Sequence, residues 1–148
     1  MDADPVDILI RPARFEDATA IAELCAQPGY LSSPVQVKRR LEQIAYVPFH
    51  SLVVAETGGQ ISGWAYVQAY TLPEMDFHAE LGGLVVAKEH RGAGVGKDLL
   101  AAGEEWACQK GFRELWVRSN VIRTEAHQFY QALGYEHINS QHTFRKRL

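Results

Sequence analysis

The chain is poor in cysteine, in long apolar runs and in charge of a single sign. Its two cysteines, Cys25 and Cys108, fall in predicted helices without a CxxC pattern, so we expect reduced, buried thiols rather than a disulfide. A net charge of −3 with interspersed signs gives no general attraction to nucleic acid or to anionic membranes. No apolar run approaches the roughly 18 residues of a membrane span and no secretory-type apolar region is present, so we expect a cytoplasmic protein.

The histidines lack the spacing of a metal site. Five of them have no acidic or cysteine partner at a zinc-type separation: His50, His90, His127, His137 and His142. A Gly-x-Ser-x-Gly nucleophile elbow is also absent. The sequence therefore predicts neither a bound metal ion nor a serine hydrolase.

Length and composition are those of one globular domain. The 148 residues are 47% hydrophobic and 22% charged, and they contain no repeat, linker or low-complexity tract. We therefore predict a single domain over residues 1–148.

Periodicity and turn residues predict the element order β-α-α-β-β-β-α-β-α-β. The predicted helices begin near Glu16, at Ser33-Pro34, near Val95 and at Thr124. The predicted strands are 6–11, 52–56, 60–70, 77–86, 113–117 and 141–147. This order indicates an α/β layer arrangement around a mixed sheet.

The most informative stretch is a strand, a glycine loop and a helix within residues 80–110. The strand is apolar and β-branched, and the helix repeats apolar residues at helical spacing. Between them, Gly92, Gly94 and Gly96 remove side chains where the strand turns into the helix. Backbone N–H groups at a helix N-terminus bind phosphate oxygens, so this loop predicts a bound anion.

Two common phosphate-binding motifs do not fit the loop. A P-loop needs Ser or Thr after Gly-Lys, where this chain has Asp98, and a glycine where it has Arg91. A dinucleotide fingerprint needs Gly-x-Gly-x-x-Gly after the first strand, whereas these glycines run Gly-x-Gly-x-Gly late in the chain. Both nucleotide classes are therefore disfavoured.

The remaining pattern, Arg91-x-x-Gly94-x-Gly96, resembles the acyl-coenzyme A motif of the GNAT superfamily of N-acetyltransferases. The box Phe129-Tyr130-Gln-Ala-Leu-Gly134-Tyr135 extends the resemblance over roughly residues 78–136. It implies a three-layer α/β fold with a mixed, mostly antiparallel sheet of six to seven strands and about four helices. It also implies acetyl transfer from acetyl-coenzyme A to a primary amine by direct attack in a ternary complex.

The resemblance assigns the cofactor to the loop and the strand before it. The backbone of the loop would hold the pyrophosphate, with charge added by its two basic ends; the residues are Arg91, Gly92, Ala93, Gly94, Val95, Gly96 and Lys97. The pantetheine arm would lie along Leu84, Val85 and Val86 like an added strand, with an N–H near Val85 or Val86 polarising the thioester. That arrangement needs a gap beside 113–118, and Gly82-Gly83 is a plausible bulge.

Two residues are candidates for proton transfer. Glu80 lies 11 residues before Arg91, the spacing of the general-base glutamate in histone acetyltransferases; an ordered water is the alternative base. His78 shares the strand face of Glu80 and could join a relay. Tyr130 matches the family tyrosine near the cofactor sulfur, which can protonate the leaving thiolate. Asn120 resembles a family asparagine that hydrogen-bonds the cofactor, although it stands further than usual from the following helix.

The acceptor amine would enter beside the first two helices and the 72–76 loop, a region with Tyr30, Tyr70, Glu74, Met75 and Asp76. Small amines, amino-acid derivatives and a peptide or protein amine all remain open. A transferase of longer acyl groups and a non-catalytic acyl-coenzyme A sensor are the alternative functions. Sheet edges near the C-terminal strand favour a homodimer, with a monomer as the alternative.

Overall fold

The computed structural model describes residues 7–148, so the start of the first predicted strand at Val6 lies outside the described residues. The chain divides into two compact units, Met1–Val117 and Arg118–Leu148. The first unit contains β1 (Ile8–Pro12), α1 (Ala18–Ala26), α2 (Pro34–Ile44), β2 (His50–Thr57), β3 (Gln60–Leu72), β4 (Met75–Val86), α3 (Val95–Gln109) and β5 (Leu115–Val117). The second unit contains α4 (Thr124–Ala132). The predicted element order is confirmed from β1 through α4.

The strands form one mixed sheet in the order β1-β2-β3-β4-β5. Strands β1 to β4 pair antiparallel, and β5 pairs parallel to β4. The 72–76 segment is a tight turn rather than a loop, because Leu72 already pairs with Met75. The described residues hold five strands, so the predicted count of six to seven is wrong although the α/β architecture is confirmed.

The missing strand is the one predicted over 141–147. These residues carry no strand or helix in the second unit, and the Phe144 side chain is 90% exposed. Phe144 is the only large apolar side chain in the segment, whose other members are polar or charged. A strand gains stability by burying one face, and this segment has too little apolar surface for that.

Helices cover both faces of the sheet in the first unit. On one face, Ile21 of α1 and Leu41 of α2 pack in a core with Val54, and Trp64 lies against it. Gly63 points to the opposite face, where an added Cβ would meet the Leu99 side chain of α3 at 2.9 Å. The sheet is therefore the middle of three layers, with β4 near one edge.

Both cysteines are free. Cys25 on α1 is half-buried, where burial raises the pKa of its thiol. Cys108 on α3 is exposed, so the prediction of two buried thiols is wrong for Cys108. Its position on the solvent side of the amphipathic helix explains the difference.

A buried carboxylate ties β1 to the turn that follows it. Asp17 is 5% exposed, and its oxygens accept hydrogen bonds from both terminal nitrogens of Arg11 at 2.8 Å. The backbone N–H of Arg14 donates a third bond at 2.7 Å. The bonds from Arg11 outweigh the effect of burial and hold the pKa of Asp17 below its usual value.

We expect Asp17→Asn to lower the free energy of unfolding at pH 7 by about 2 kcal/mol, because it removes a charged, buried hydrogen-bond acceptor. The folded-state pKa lies below the unfolded-state value of 3.8, so this stabilisation is present above about pH 4 and is lost as the pH falls through the folded pKa. Urea unfolding at pH 7 and pH 3 measures the difference. Glu56→Gln, which removes the more exposed partner of Arg11, is the control, and an equal loss in both variants contradicts the prediction.

Candidate active site

The glycine loop joins β4 to α3 in a conformation that requires glycine. Gly92 and Gly94 have φ of 80° and 89°, in the left-handed region, and Gly94 is the N-cap of α3. A Cβ at either position would meet nothing within 4 Å. Backbone conformation, and not crowding, therefore selects glycine at both positions.

This loop has the properties of an anion cradle. Residues 91–94 are exposed, while Val95 is buried and anchors the first turn of the 15-residue helix α3. The first N–H groups of an α-helix have no intrahelical partner, and the helix dipole places positive potential there. Arg91 and Lys97 are exposed beside these groups. The seven predicted loop residues thus lie together in a form that fits a pyrophosphate.

Just before this loop, the edge of β4 that faces β5 is not paired with another strand that the structure describes. In the described part of the chain, the pairing with β5 ends at Leu81. The Ala87 N–H donates to the Ser62 carbonyl at 2.8 Å, and bonded pairs alternate along an antiparallel ladder. The N–H groups of Leu84 and Val86 therefore face the β5 side, whereas that of Val85 is turned toward β3.

A β-bulge bends β4 between Glu80 and this edge. Tyr66 pairs with Gly83 and Val67 pairs with Leu81, so Gly82 is the extra residue, as expected for the Gly82-Gly83 pair. A Cβ at Gly83 would lie 2.5 Å from the Trp64 ring. The close approach of the indole to β4 therefore depends on the missing side chain at Gly83.

The structure brings Glu80 and His78 together on one face of β4. The side chains are 10% and 5% exposed, and His78 Nε2 lies 3.0 Å from Glu80 Oε1. The His78 ring stacks on Trp116 of β5, with centroids 4.4 Å apart. Sequence reasoning missed Trp116, because its place opposite Glu80 depends on the β4–β5 register.

A groove of about 420 Å³ opens beside His78. It is lined by Met75, Asp76, Phe77, His78, Gly111, Arg113, Glu114 and Trp116. Two members of the predicted acceptor region, Met75 and Asp76, are among these residues. Tyr30, another member, is 69% exposed on the α1–α2 connection and does not line the groove.

The second unit holds the predicted acid. Tyr130 on α4 meets the rings of Phe129 and Tyr135 edge-on, with centroids 5.2 Å and 5.8 Å apart. Burial raises the pKa of its phenol, more than the charge of Arg123 lowers it. The hydroxyl is therefore a proton donor throughout the neutral range.

Asn120 shapes the turn that leads into α4. Its Oδ1 accepts a hydrogen bond from the Ile122 N–H at 3.1 Å, and its backbone carbonyl contacts His127 Nε2 at 2.8 Å. The amide nitrogen and the second lone pair of Oδ1 are the parts of this side chain that a cofactor could use.

Residues 7–148 bring no three metal-binding side chains together. Over the same residues, every helix is too short or too polar to cross a membrane.

Comparison with known proteins identifies the family of this chain. The acetyltransferase (GNAT) family model matches residues 15–135. The uncharacterized N-acetyltransferase YjgM of Escherichia coli K12 is 28% identical over 145 residues, spanning 91% of this chain and 86% of that protein. An aminoglycoside N(6')-acetyltransferase type 1 of Salmonella typhimurium is 36% identical over 67 residues, 45% of this chain and 46% of that protein.

Solved structures show the same fold. The aminoglycoside N-acetyltransferase AAC(6')-Iy in complex with CoA superposes with a TM-score of 0.83 at 24% identity, covering 100% of both chains. Its complex with the bisubstrate analog CoA-S-monomethyl-acetylneamine gives 0.81 at 25% identity, covering 96% of this chain and 99% of that one. The chain is an enzyme of the acetyltransferase (GNAT) family.

Proposed function

We propose that this enzyme transfers the acetyl group of acetyl-coenzyme A to a primary amine of a small molecule or peptide, by direct attack in a ternary complex. One observation carries the proposal. A single strand, β4, presents the buried carboxylate of Glu80 and then, beyond the bulge, the outward N–H groups of Leu84 and Val86, and it leads directly into the glycine cradle.

Acetyl-coenzyme A would supply a thioester that is already activated for acyl transfer. The backbone N–H groups between Gly92 and Gly96 would hold its pyrophosphate, with Arg91 and Lys97 at the rim. The backbone of Leu84 and Val86 would pair with the pantetheine amides, as an added strand does. Val85 would contribute through packing, and Asn120 through its side-chain amide. A metal ion is not needed for any of these contacts.

Three groups of the chain would carry the chemistry. Glu80, directly or through an ordered water, would take a proton from the acceptor ammonium, which frees the nitrogen lone pair for attack. A backbone N–H at Leu84 or Val86 would stabilise the negative charge on the thioester oxygen. Tyr130 would give its proton to the departing thiolate.

The groove beside His78 suits an acceptor that carries positive charge. Asp76 and Glu114 bring two carboxylates, against one guanidinium from Arg113. The aromatic faces come from Phe77 and Trp116. The names of several relatives point to aminoglycosides, which are polycationic amines.

A cytoplasmic location and a homodimer remain predictions.

Thermal shift with acetyl-coenzyme A, coenzyme A, ATP and NAD tests the cofactor assignment. We expect the two coenzyme A compounds alone to raise Tm, by about 5–10 °C at 100 times Kd. A rise in Tm with ATP or NAD contradicts the assignment, and so does the absence of any rise with all four compounds.

Release of thiol then tests catalysis, with neamine, spermidine, a lysine peptide and a free N-terminal peptide as acceptors. Release above the amine-free rate supports the transferase. Coenzyme A binding without release from any amine supports the non-catalytic sensor. Faster release from longer acyl-coenzyme A compounds supports the longer-chain alternative.

A further inference from the structure

The His78–Glu80 pair is a buried polar contact whose geometry is fixed from several sides. The Trp116 ring stacks on the imidazole at 26° between planes, and the Tyr70 ring lies 5.4 Å away on the neighbouring strand β3. His78 Nδ1 lies 3.3 Å from the Asp76 carbonyl oxygen. The ring therefore cannot turn without losing these contacts, and its Nε2 stays directed at Glu80.

The partners of the ring decide where protons can be. A backbone carbonyl only accepts, so the Asp76 contact requires a proton on Nδ1. An ionised carboxylate also only accepts, so the Glu80 contact requires a second proton, either on Nε2 or on the carboxyl group. A neutral imidazole beside an ionised carboxylate holds one proton and satisfies one contact. The same pair with one more proton satisfies both.

We propose that His78 is a positioning residue that makes Glu80 a proton acceptor and then passes the proton to solvent through the groove. This inference rests on the proposed function. The acceptor ammonium loses one proton to Glu80 and becomes a neutral amine. The proton is then shared between Glu80 Oε1 and His78 Nε2, which completes both hydrogen bonds. Release of this shared proton to water in the groove, with the other proton kept on Nδ1 beside the Asp76 carbonyl, restores the neutral ring and the ionised carboxylate.

Strands β3, β4 and β5 all contribute groups around the ring. On β4 the ring meets Glu80 and the Asp76 carbonyl, and on β3 it meets the phenol ring of Tyr70. On β5 it meets the uncharged Trp116, whose indole N–H donates to Glu114 at 3.0 Å. Arg113 lies at the groove that His78 also lines. Of these groups, only Glu80 is an acidic side chain bonded to the ring in the observed contacts.

Nuclear magnetic resonance of the full chain tests the pair without needing any substrate. We expect one titration step to move the His78 ring ¹⁵N signals and the Glu80 carboxyl ¹³C signal together. In Glu80→Gln, the midpoint for His78 should move to a proton concentration at least tenfold higher, while the midpoint for His50 stays unchanged. Separate midpoints for the two side chains in the unsubstituted protein, or an unchanged His78 midpoint in Glu80→Gln, overturns the proposal.

The pH profile of turnover gives a second measurement, with the amine that reacts fastest in the acceptor panel. His78→Gln keeps a hydrogen-bond donor toward Glu80 but cannot carry a proton. We expect kcat to fall about tenfold and the acidic limb of the pH–kcat profile to move to a different pH. The Kd of coenzyme A should stay unchanged. A fall in kcat and Tm without movement of that limb indicates a structural role only and contradicts the proposal.

His50→Gln is the matched control for this substitution. His50 Nδ1 also contacts a backbone carbonyl, that of Val47 at 2.7 Å, and its ring lies 6.2 Å from Tyr66. Its observed contacts include no carboxylate. The control should therefore leave the acidic limb where it is. A failed cofactor panel would refute the proposed function while the resonance experiment still tests the pair.

Discussion

Gly94→Glu is expected to weaken coenzyme A binding about 100-fold. Gly94 is the N-cap of α3 with φ of 89°, a conformation that costs a residue with a side chain about 1–2 kcal/mol. A carboxylate at the N-cap also accepts hydrogen bonds from the N–H groups that the pyrophosphate would use. Its negative charge repels that of the phosphates. Together these effects amount to about 3 kcal/mol, which corresponds to roughly two decades in Kd.

Isothermal titration with coenzyme A measures this effect, and two variants separate its parts. Gly94→Ala carries the backbone cost without the charge, so we expect a loss of about tenfold. Gly111→Glu has the same backbone cost and the same added charge at the end of the same helix. Gly111 has φ of 86° and, like Gly94, is open to solvent. It lies at the other end of the 15-residue α3, about 22 Å away by helix rise, and should bind normally.

Equal Kd values for Gly94→Glu and Gly111→Glu, in folded proteins, would show that the pyrophosphate does not bind at this loop. Circular dichroism of both variants checks the fold. The roles given to the neighbouring loop residues would then fail as well, since they depend on the same placement.

The features that the sequence predicted well are local ones. Ser33 was expected to begin α2, and its Oγ accepts from the Gln36 N–H at 3.1 Å while the Gln36 side chain accepts from the Ser33 N–H. The left-handed Gly94 at the start of α3, in the loop predicted between strand and helix, also follows from nearby residues. In each case, chemistry within four or five positions determines the conformation.

The features that the sequence missed depend on pairing between distant segments. Trp116 stacks on His78 only because β5 pairs with β4 in one register, and that register is not encoded in the three residues of β5. The segment 141–147 has Phe144 as its one large apolar side chain, which provides neither a partner strand nor a face to bury. The sequence therefore predicted the loop, Tyr130 and the shared strand face of Glu80 and His78, but not the packing of Trp116 on this pair.

Tyr130→Phe is expected to lower kcat about 100-fold while leaving the Kd of coenzyme A within twofold of its original value. A positioned general acid contributes 10²–10⁴-fold to the rate, and the hydroxyl is the only group that the substitution removes. The rings of Phe129 and Tyr135 meet Tyr130 edge-on, a packing that phenylalanine preserves. Thiol release and calorimetry measure the two quantities separately.

The same role for Tyr130 also predicts how turnover depends on pH. Burial raises the pKa of Tyr130, so the acid form that catalysis needs persists beyond the usual phenol range of about 10. Turnover should therefore show no alkaline fall from Tyr130 below about pH 10. Tyr46→Phe, at a ring that is 89% exposed, is the control and should retain full turnover. Full turnover in Tyr130→Phe as well would mean that the thiolate leaves without this acid, and Tyr130 would then act through packing alone.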